Sequence, residues 1–547
     1  MRRTSFAGRK EAYYEGLERF ADPFIDGLEL KASHHVLEVS CGTGRDSEII
    51  ERLDHNGQVS SGHVAGHAGA LSETAAVARV STSFCVSNAC YLPYPEKYFD
   101  AVYSFGGLGE FSDIARGLAE MARASKVGVR IVVGDESVQI NLFLLVCSKK
   151  EMTLAILGGK PAFESALHVG RPNIGDRARL LARFNEALDN RWLSNDGPFV
   201  REFEDRIARI LGVKHCVSMA NATIALEIVS RVLELSGEVI VPSFTFVATA
   251  HALQWRGITP IFCDIDPATH NIDPSQIEKL ITSRTTGILG VHLWGRPCNI
   301  EAVMAVAKAH NLKVFFDASH AFGCRYQDRM IGSFGSAEIF SFHATKFINS
   351  AEGGAVTTDD DEIAYRVRSM KNFGFAGYDN VISMGINGKM SEISAAIGLT
   401  NLESAEEFVG INRANFQTYE GELKGIPGIS LLLYDEGTTP NYQYVVVEVD
   451  VALAGVTRDQ LVTVLHAENV LARRYFYPGV HRMEPYRSDP ASQKVALPET
   501  EALGRRVLVL PTGTSVIPED IAKICAVIRG AVASSSQVAA RLSAITH

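Results

Sequence analysis

The sequence predicts an α/β protein built in tandem: a shortened parallel-sheet module, a larger parallel-sheet module, and a smaller α+β domain at the C-terminal end. Three observations carry this. Residues 35–53 read as an apolar strand, a glycine-bearing turn and a helix. Residues 217–316 alternate short Val/Ile-rich runs with helical patterns, the rhythm of a mainly parallel sheet with crossover helices. Two apolar runs, 314–316 and 339–342, stop at polar side chains, as parallel strands do where their carboxyl ends line a ligand crevice. A chain of 547 residues also exceeds one ordinary domain and predicts two or three.

The first module spans residues 1–137. After an opening helical stretch, the strand at 35–39 runs into Ser40-Cys41-Gly42-Thr43-Gly44-Arg45-Asp46, and a helix follows over 47–53. Glycines in such a turn let backbone N–H groups approach a ligand. Asn88-Ala89 comes next, then LPYPEKYFDAVYSFGGLGEFSD over 92–113, a helix from Ile114 and a strand at 130–133. In order and wording this resembles a class I S-adenosylmethionine (SAM) methyltransferase, a Rossmann-like α/β fold. The resemblance implies that Glu38, Gly42 and Gly44 form the loop at the methionine end of SAM. It places Asn88 and Ala89 by the adenine and Asp100 at the end of the fourth strand. The sequence departs from that family in three places. Ser40 stands where the first glycine is usual. Residues 59–63, VSSGH, offer no carboxylate for the ribose hydroxyls. The pattern also stops after Gly134-Asp135-Glu136-Ser137, short of the strands that build the acceptor site. The expectation is a truncated SAM-binding domain kept for binding, docking or stability, with no methyl transfer.

Residues 138–170 shift in composition, with Ser148-Lys149-Lys150-Glu151 and Gly158-Gly159-Lys160-Pro161, and read as the join between modules. The larger module, 171–411, opens with RWLSNDGPFVREFE at 191–204. A strand at 217–219 leads into Ala220-Asn221-Ala222-Thr223 and a helix at 224–233. Free N–H groups and the helix dipole favour an anion there, while Asn221 and Thr223 also suit ordinary N-capping. The strand and turn at 239–246 end in Phe246. Further strands follow at 260–263 and 286–292, then a helix at 300–310. The run from 314 then delivers Asp317-Ala318-Ser319-His320, and the run from 339 delivers Ser341, His343 and Lys346. The 29 residues from Asp317 to Lys346 leave room for a strand and its connections. A lysine and an acid on neighbouring strand ends suit pyridoxal 5′-phosphate (PLP): the lysine forms the Schiff base, and the acid keeps the pyridine nitrogen protonated.

Lys371-Asn372-Phe373-Gly374-Phe375, Gly385-Ile386-Asn387-Gly388-Lys389-Met390-Ser391-Glu392 and Ala472-Arg473-Arg474-Tyr475-Phe476-Tyr477-Pro478-Gly479 complete a set of motifs. From Arg171 to Ala533 they resemble the fold-type I sugar aminotransferases of the DegT/DnrJ/EryC1/StrS group. The resemblance implies that Lys346 is the Schiff-base lysine, Asp317 the partner of the pyridine nitrogen, and His320 the neighbour of the ring's phenolic oxygen. It implies that Phe246 stacks on the cofactor ring, with Ala222, Asn221, Thr223 and Ser341 about its phosphate and His343 in the lysine motif. In relatives the residue matching Asn387 reaches the neighbouring subunit's cofactor phosphate, which implies a homodimer with shared sites. Arg473, Tyr475 and His481 are expected to meet the substrate. The lysine motif His343-Ala344-Thr345-Lys346 has a form associated more with amination at sugar C4 than at C3. A smaller domain is expected over 412–547, with a strand at 441–450.

Composition narrows the partners. Hydrophobic residues at 46% and charged residues at 21% describe a globular protein with large cores. A formal charge of −10 with no basic run argues against nucleic acid. Nine scattered cysteines lack metal-ligand or disulfide-framework spacing, so no metal is expected and a reduced, cytoplasmic setting is. The opening residues lack the apolar core of a signal peptide, and the apolar run at 140–147 is too short to span a bilayer. The leading expectation is therefore a PLP-dependent aminotransferase acting on a nucleotide-linked keto-deoxysugar, with glutamate or a similar amino donor. Fusion to a SAM-type module raises an alternative, a PLP enzyme that uses SAM as its amino-acid substrate, expels the sulfonium from Cγ and forms a C–C bond.

Overall fold

A computed structural model describes residues 153–546, apart from 436–437 and 490–494. Nearer the N-terminus it describes residues 121 and 123 and the backbones of four strands. The chain divides into two compact units, Met1–Met152 and Thr153–His547. In the first, β1 (His35–Ser40), β2 (Ser81–Val86), β3 (Ala101–Phe105) and β4 (Ile131–Gly134) form a parallel sheet in the order β2-β1-β3-β4. The sheet is the one expected for this module. Glu38 lies on β1, where only the backbone is described; Gly42, Gly44, Asn88, Ala89, Asp100 and the stretch 59–63 lie outside the described residues.

The second unit opens with a short strand β5 (Leu167–His168). The strands of its large domain are β6 (His215–Met219), β7 (Glu238–Pro242), β8 (Thr259–Cys263), β9 (Thr285–Val291) and β10 (Lys313–Asp317). A small hairpin, β11 (Arg325–Tyr326) and β12 (Arg329–Met330), precedes β13 (Glu338–Ser341) and β14 (Gly354–Thr358). Seven of them form one sheet, β6-β14-β13-β10-β9-β7-β8, parallel except for β14, which runs against both neighbours. The strands are apolar on both faces because helices cover both. Alternate residues feed two separate cores. Val314 and Phe316 of β10, Ile240 of β7 and Phe340 of β13 enter one. Phe315, Val239, Val241 and Ile339 enter the other. β10 and β13 are neighbours, so the residues that end them share one edge of the sheet.

The small domain carries a three-stranded antiparallel sheet, β15 (Ile429–Leu431), β16 (Val445–Val449) and β18 (Val507–Leu510), with helices packed on it. β17 (Val470–Leu471) pairs with β5. Three details differ from the expectation. The strand expected at 441–450 is confined to Val445–Val449, because Asn441 spends its amide on the carbonyls of His320 and Phe322, at 3.0 and 3.1 Å. The boundary expected at 411/412 falls inside one helix, Ala405–Leu423, whose Phe408 packs in the large domain and whose Phe416, Tyr419 and Leu423 pack in the small one. The join, from Thr153 onward, is core: Leu154, Phe163 and Leu167 are buried in the small domain, and the Glu468 carboxylate accepts from the N–H of Ala155 at 2.6 Å and of Ala162 at 2.7 Å.

One buried charge cluster secures the large domain. Glu204, 4% exposed, accepts from Ser218 N and Oγ at 2.7 and 2.8 Å and pairs with Lys371 at 3.0 Å and Arg368 at 2.6 Å. Burial alone would push its carboxyl up; Lys371 and then Arg368 outweigh that and hold it below the usual range. Its contribution is therefore present above the unfolded carboxylate pKa and lost as pH falls through the lower folded value. Glu204→Ala strands the buried Lys371 and should cost about 3–5 kcal/mol in urea unfolding at neutral pH. A loss under about 1 kcal/mol, the range of an exposed pair, would contradict this.

Candidate active site

The edge shared by β10 and β13 gathers the candidate catalytic residues. Asp317 closes β10 and is 6% exposed. Its carboxylate accepts from Thr249 Oγ1 at 2.8 Å and from Ser319 N at 3.1 Å, and Thr249 is linked in turn to Thr245 at 3.0 Å. Lys346 lies in the turn after β13, half-buried, its Nζ donating to Tyr444 Oη at 3.3 Å. Burial lowers its ammonium to about 8, with the Asp317 charge pulling the other way. His320 is buried, stacked on Phe476 at 5.7 Å and tilted against Tyr444 at 4.7 Å. The Trp294 N–H donates to His320 Nδ1 at 3.2 Å, which places the ring's proton on Nε2. Burial first, and the Lys346 charge second, keep this imidazole well below its usual pKa and therefore neutral.

A second part of the site is the start of the helix Ala222–Val232. Asn221 is its N-cap, accepting from Ile224 N at 2.9 Å. Capping and anion binding are compatible here, because the first-turn N–H groups of Ala222 and Thr223 have no partner within the helix. β14 presses against this point at Gly354, where an added Cβ would lie 2.5 Å from Ala222 N, so only glycine leaves the cradle open. Gly388 O accepts from Ala220 N at 2.8 Å, and Asn387 before it is exposed. Ser341, half-buried, accepts weakly from His343 N at 3.4 Å. Phe246 is 55% exposed, and its ring sits 6.2 Å from Phe476.

Other expected residues lie elsewhere or are committed. His343 is exposed and tied to its own turn, 2.9 Å from Thr345 Oγ1 and 3.7 Å from Glu352. Arg473 is exposed over the Tyr475 ring at 5.2 Å, and Tyr475 stacks on Phe476 at 5.0 Å. His481 departs from its expected role. It is 1% exposed, with Ser243 Oγ at 2.6 Å and Glu501 at 3.3 Å, and it joins the two domains from inside. Sequence reasoning missed Thr249, Tyr444, Phe476 and the Trp294 N–H. The ATA run after Phe246 and the tyrosine before the Val445 strand are visible in the sequence, but only the tertiary fold brings them to Asp317 and Lys346.

The residues present fit a pyridine cofactor with a phosphate arm. A lysine of lowered pKa in the turn after β13 and a buried acid at the end of the neighbouring β10 are present, and a glycine-opened helix start offers unpartnered N–H groups to an anion. A site of this kind on this sheet defines a PLP-dependent transferase of fold type I. The chain belongs to the DegT/DnrJ/EryC1/StrS aminotransferase family, which it matches over residues 175–529. Residues 37–133 match a methyltransferase domain. Among similar proteins is an Escherichia coli dTDP-4-amino-4,6-dideoxy-D-glucose transaminase, 36% identical over 370 residues, 67% of this chain and 99% of that one. A GDP-perosamine synthase of Caulobacter vibrioides is also 36% identical, over 352 residues, 62% of this chain and 92% of its own length. The solved structure of DesI in the presence of its TDP-sugar product is 48% identical and covers 71% of this chain and 99% of that one, with a TM-score of 0.69. These relatives bear out the sugar aminotransferase expectation, and none of them is named for a reaction of SAM.

The lowered Lys346 ammonium sets a pH dependence. If Lys346 is the lysine that captures the cofactor, which needs the neutral amine, the rate at which cofactor-free protein takes up PLP should rise about tenfold per pH unit below about 8 and level off above it. Stopped-flow absorbance at fixed PLP checks this; a rise continuing to pH 10 would place the amine in water.

Proposed function

We propose that this protein transfers an amino group from glutamate or a similar donor to C4 of a nucleotide-linked keto-deoxysugar. The observation that carries the reading is the placement of Lys346 Nζ among Tyr444, Asp317 and His320, in a chain 48% identical to DesI. The E. coli relative, a dTDP-4-amino-4,6-dideoxy-D-glucose transaminase, supports the C4 position. PLP, when bound, supplies an electron-accepting ring that stabilises charge on the carbon bearing nitrogen. The chain's own residues do the rest. Lys346 Nζ carries the proton between the two carbons that flank the transferred nitrogen, a task suited to an amine near 8. Tyr444 Oη aims that amine, and Asp317, held by Thr249 and Ser319, presents a fixed negative charge to the ring. Arg473 and Tyr475 offer an exposed cation and a half-buried ring to the sugar nucleotide. Glutamate alone should convert the visible cofactor band to the amine form. A band moved instead by SAM, with release of methylthioadenosine, would favour the alternative.

The reading extends to assembly. Asn387 is proposed to serve the partner subunit's phosphate, and its neighbours Phe373, Met384 and Ile386 leave apolar surface exposed, as a docking face does. Mixing the two inactive chains Lys346→Ala and Asn387→Ala should restore up to about a quarter of the activity, the share expected when random mixing leaves one intact site in half of the dimers. No recovery in exchanged dimers would mean that each site is built from one chain. The N-terminal module is proposed to bind or dock without methylating. The cytoplasm, where thiols stay reduced, suits the five free, buried cysteines among the described residues. No helix among the described residues is long and apolar enough to cross a membrane.

A further inference from the structure

We infer that residues 167–173, which precede the part matched to the family, form a strap that positions both walls of the active site. The inference rests on Lys346 being the cofactor lysine. Lys346 stands in a stretch, 343–350, that has neither helix nor strand, so its backbone must be held by something other than a ladder. The strap holds it. Asn173, 3% exposed, donates from Nδ2 to the carbonyl of Phe347, the residue after the lysine, at 3.1 Å. Asn349 donates back to the Asn173 carbonyl at 2.9 Å, and Asn401 donates to the Asn349 carbonyl at 2.8 Å while accepting from Gly175 N at 2.8 Å. Asn173 Oδ1 is filled from the far side by Thr514 N and Oγ1, at 3.3 and 2.8 Å. The three buried asparagines thus tie strap and lysine turn together, leaving neither free to move alone.

The same strap touches the opposite wall. β5 pairs in parallel with β17, which ends two residues before Arg473, and the Leu167 N–H donates to the Asn469 carbonyl at 2.8 Å. Val169 packs against the cluster that holds Tyr444, Trp294 and Phe476, the groups that contact Lys346 and His320. Gly170, at φ +72°, lies so close to Thr345 that an added Cβ would sit 2.9 Å from its Cβ and 3.1 Å from its carbonyl oxygen. Seven consecutive residues therefore bear on the residues either side of Lys346, on the apolar cluster that holds its hydrogen-bond partner, and on the strand that feeds the substrate loop. Asn173 and Gly170 are positioning residues, acting on the chemistry through Lys346.

The test uses the full-length protein with PLP and three readouts: the visible absorption spectrum, the affinity for PLP, and kcat and KM measured separately. Asn173→Ala should shift or broaden the visible band, weaken PLP binding about tenfold and lower kcat at least tenfold, with KM for the sugar nucleotide within about threefold. Asn173→Asp keeps the size and loses the donor, and should show the same spectral change. Should Asn173→Ala fail to fold, Gly170→Ala decides the matter. It removes none of the asparagine hydrogen bonds, but strains the left-handed backbone at φ +72° and pushes on Thr345, and it should displace the band and lower kcat in the same sense. Variants that melt earlier yet keep the band, the PLP affinity and kcat within twofold would overturn the strap. A wild-type protein without a borohydride-sensitive band would instead overturn the reading on which the strap rests.

Discussion

Lys346→Ala should lower turnover by about 1,000-fold or more, because on the proposed function it removes both the covalent anchor and the group that moves the proton. Its fold should survive, since the Lys346 side chain makes a single hydrogen bond, to Tyr444, and sits at the edge of the sheet outside both cores. Borohydride treatment of wild-type protein should bleach the visible band and leave the label on the peptide containing Lys346. A label on another lysine, Lys371 or Lys389 for instance, would move the site. The prediction is sharp because both alternatives are engaged elsewhere: Lys371 with Glu204 and the Ser218 carbonyl, Lys389 with Asn372 and the Phe373 ring.

Asp317→Asn should be nearly as damaging to rate and far less so to stability. The amide keeps the shape, and Thr249 and Ser319 can still bond it, so the pocket remains filled. What disappears is a fixed negative charge in a buried site, where charge stabilisation is worth far more than in water. A loss of about 100- to 1,000-fold in kcat is expected, with melting little changed. Thr249→Val should lie between the two proteins, because it releases one oxygen of the carboxylate without removing its charge. An Asp317→Asn variant that retains more than half of wild-type kcat would mean that no pyridine nitrogen depends on this acid.

The site's skeleton was legible because local rules agree there with the tertiary fold. Strands that end at Asp317 and Ser341, a helix start after Asn221 and the alternation of β10 between two cores all follow from short runs of sequence. The pieces that escaped depend on distant chain. His481 has the look of a surface ligand in a polar loop, yet Ser243, 238 positions away, draws it inside. Tyr444 reads as the inner residue of a strand, but Asn441 breaks that strand to satisfy the carbonyls behind His320. The join at 138–170 looks like linker by its glycines, lysines and proline, while the three apolar residues that make it core are spread too thinly to show a period. Phe246 ends an apolar strand-and-turn run, and only the tertiary fold leaves its ring 55% exposed beside Phe476.

The central claim, amination of a nucleotide-linked keto sugar, is tested most directly by the product itself. Full-length protein with PLP, nitrogen-15 glutamate and a nucleotide-linked 4-keto-6-deoxyhexose should yield a sugar nucleotide that carries the heavy nitrogen at C4, read by mass spectrometry and NMR. Unlabelled or unconverted sugar in these conditions, together with loss of methylthioadenosine from added SAM, would contradict the account.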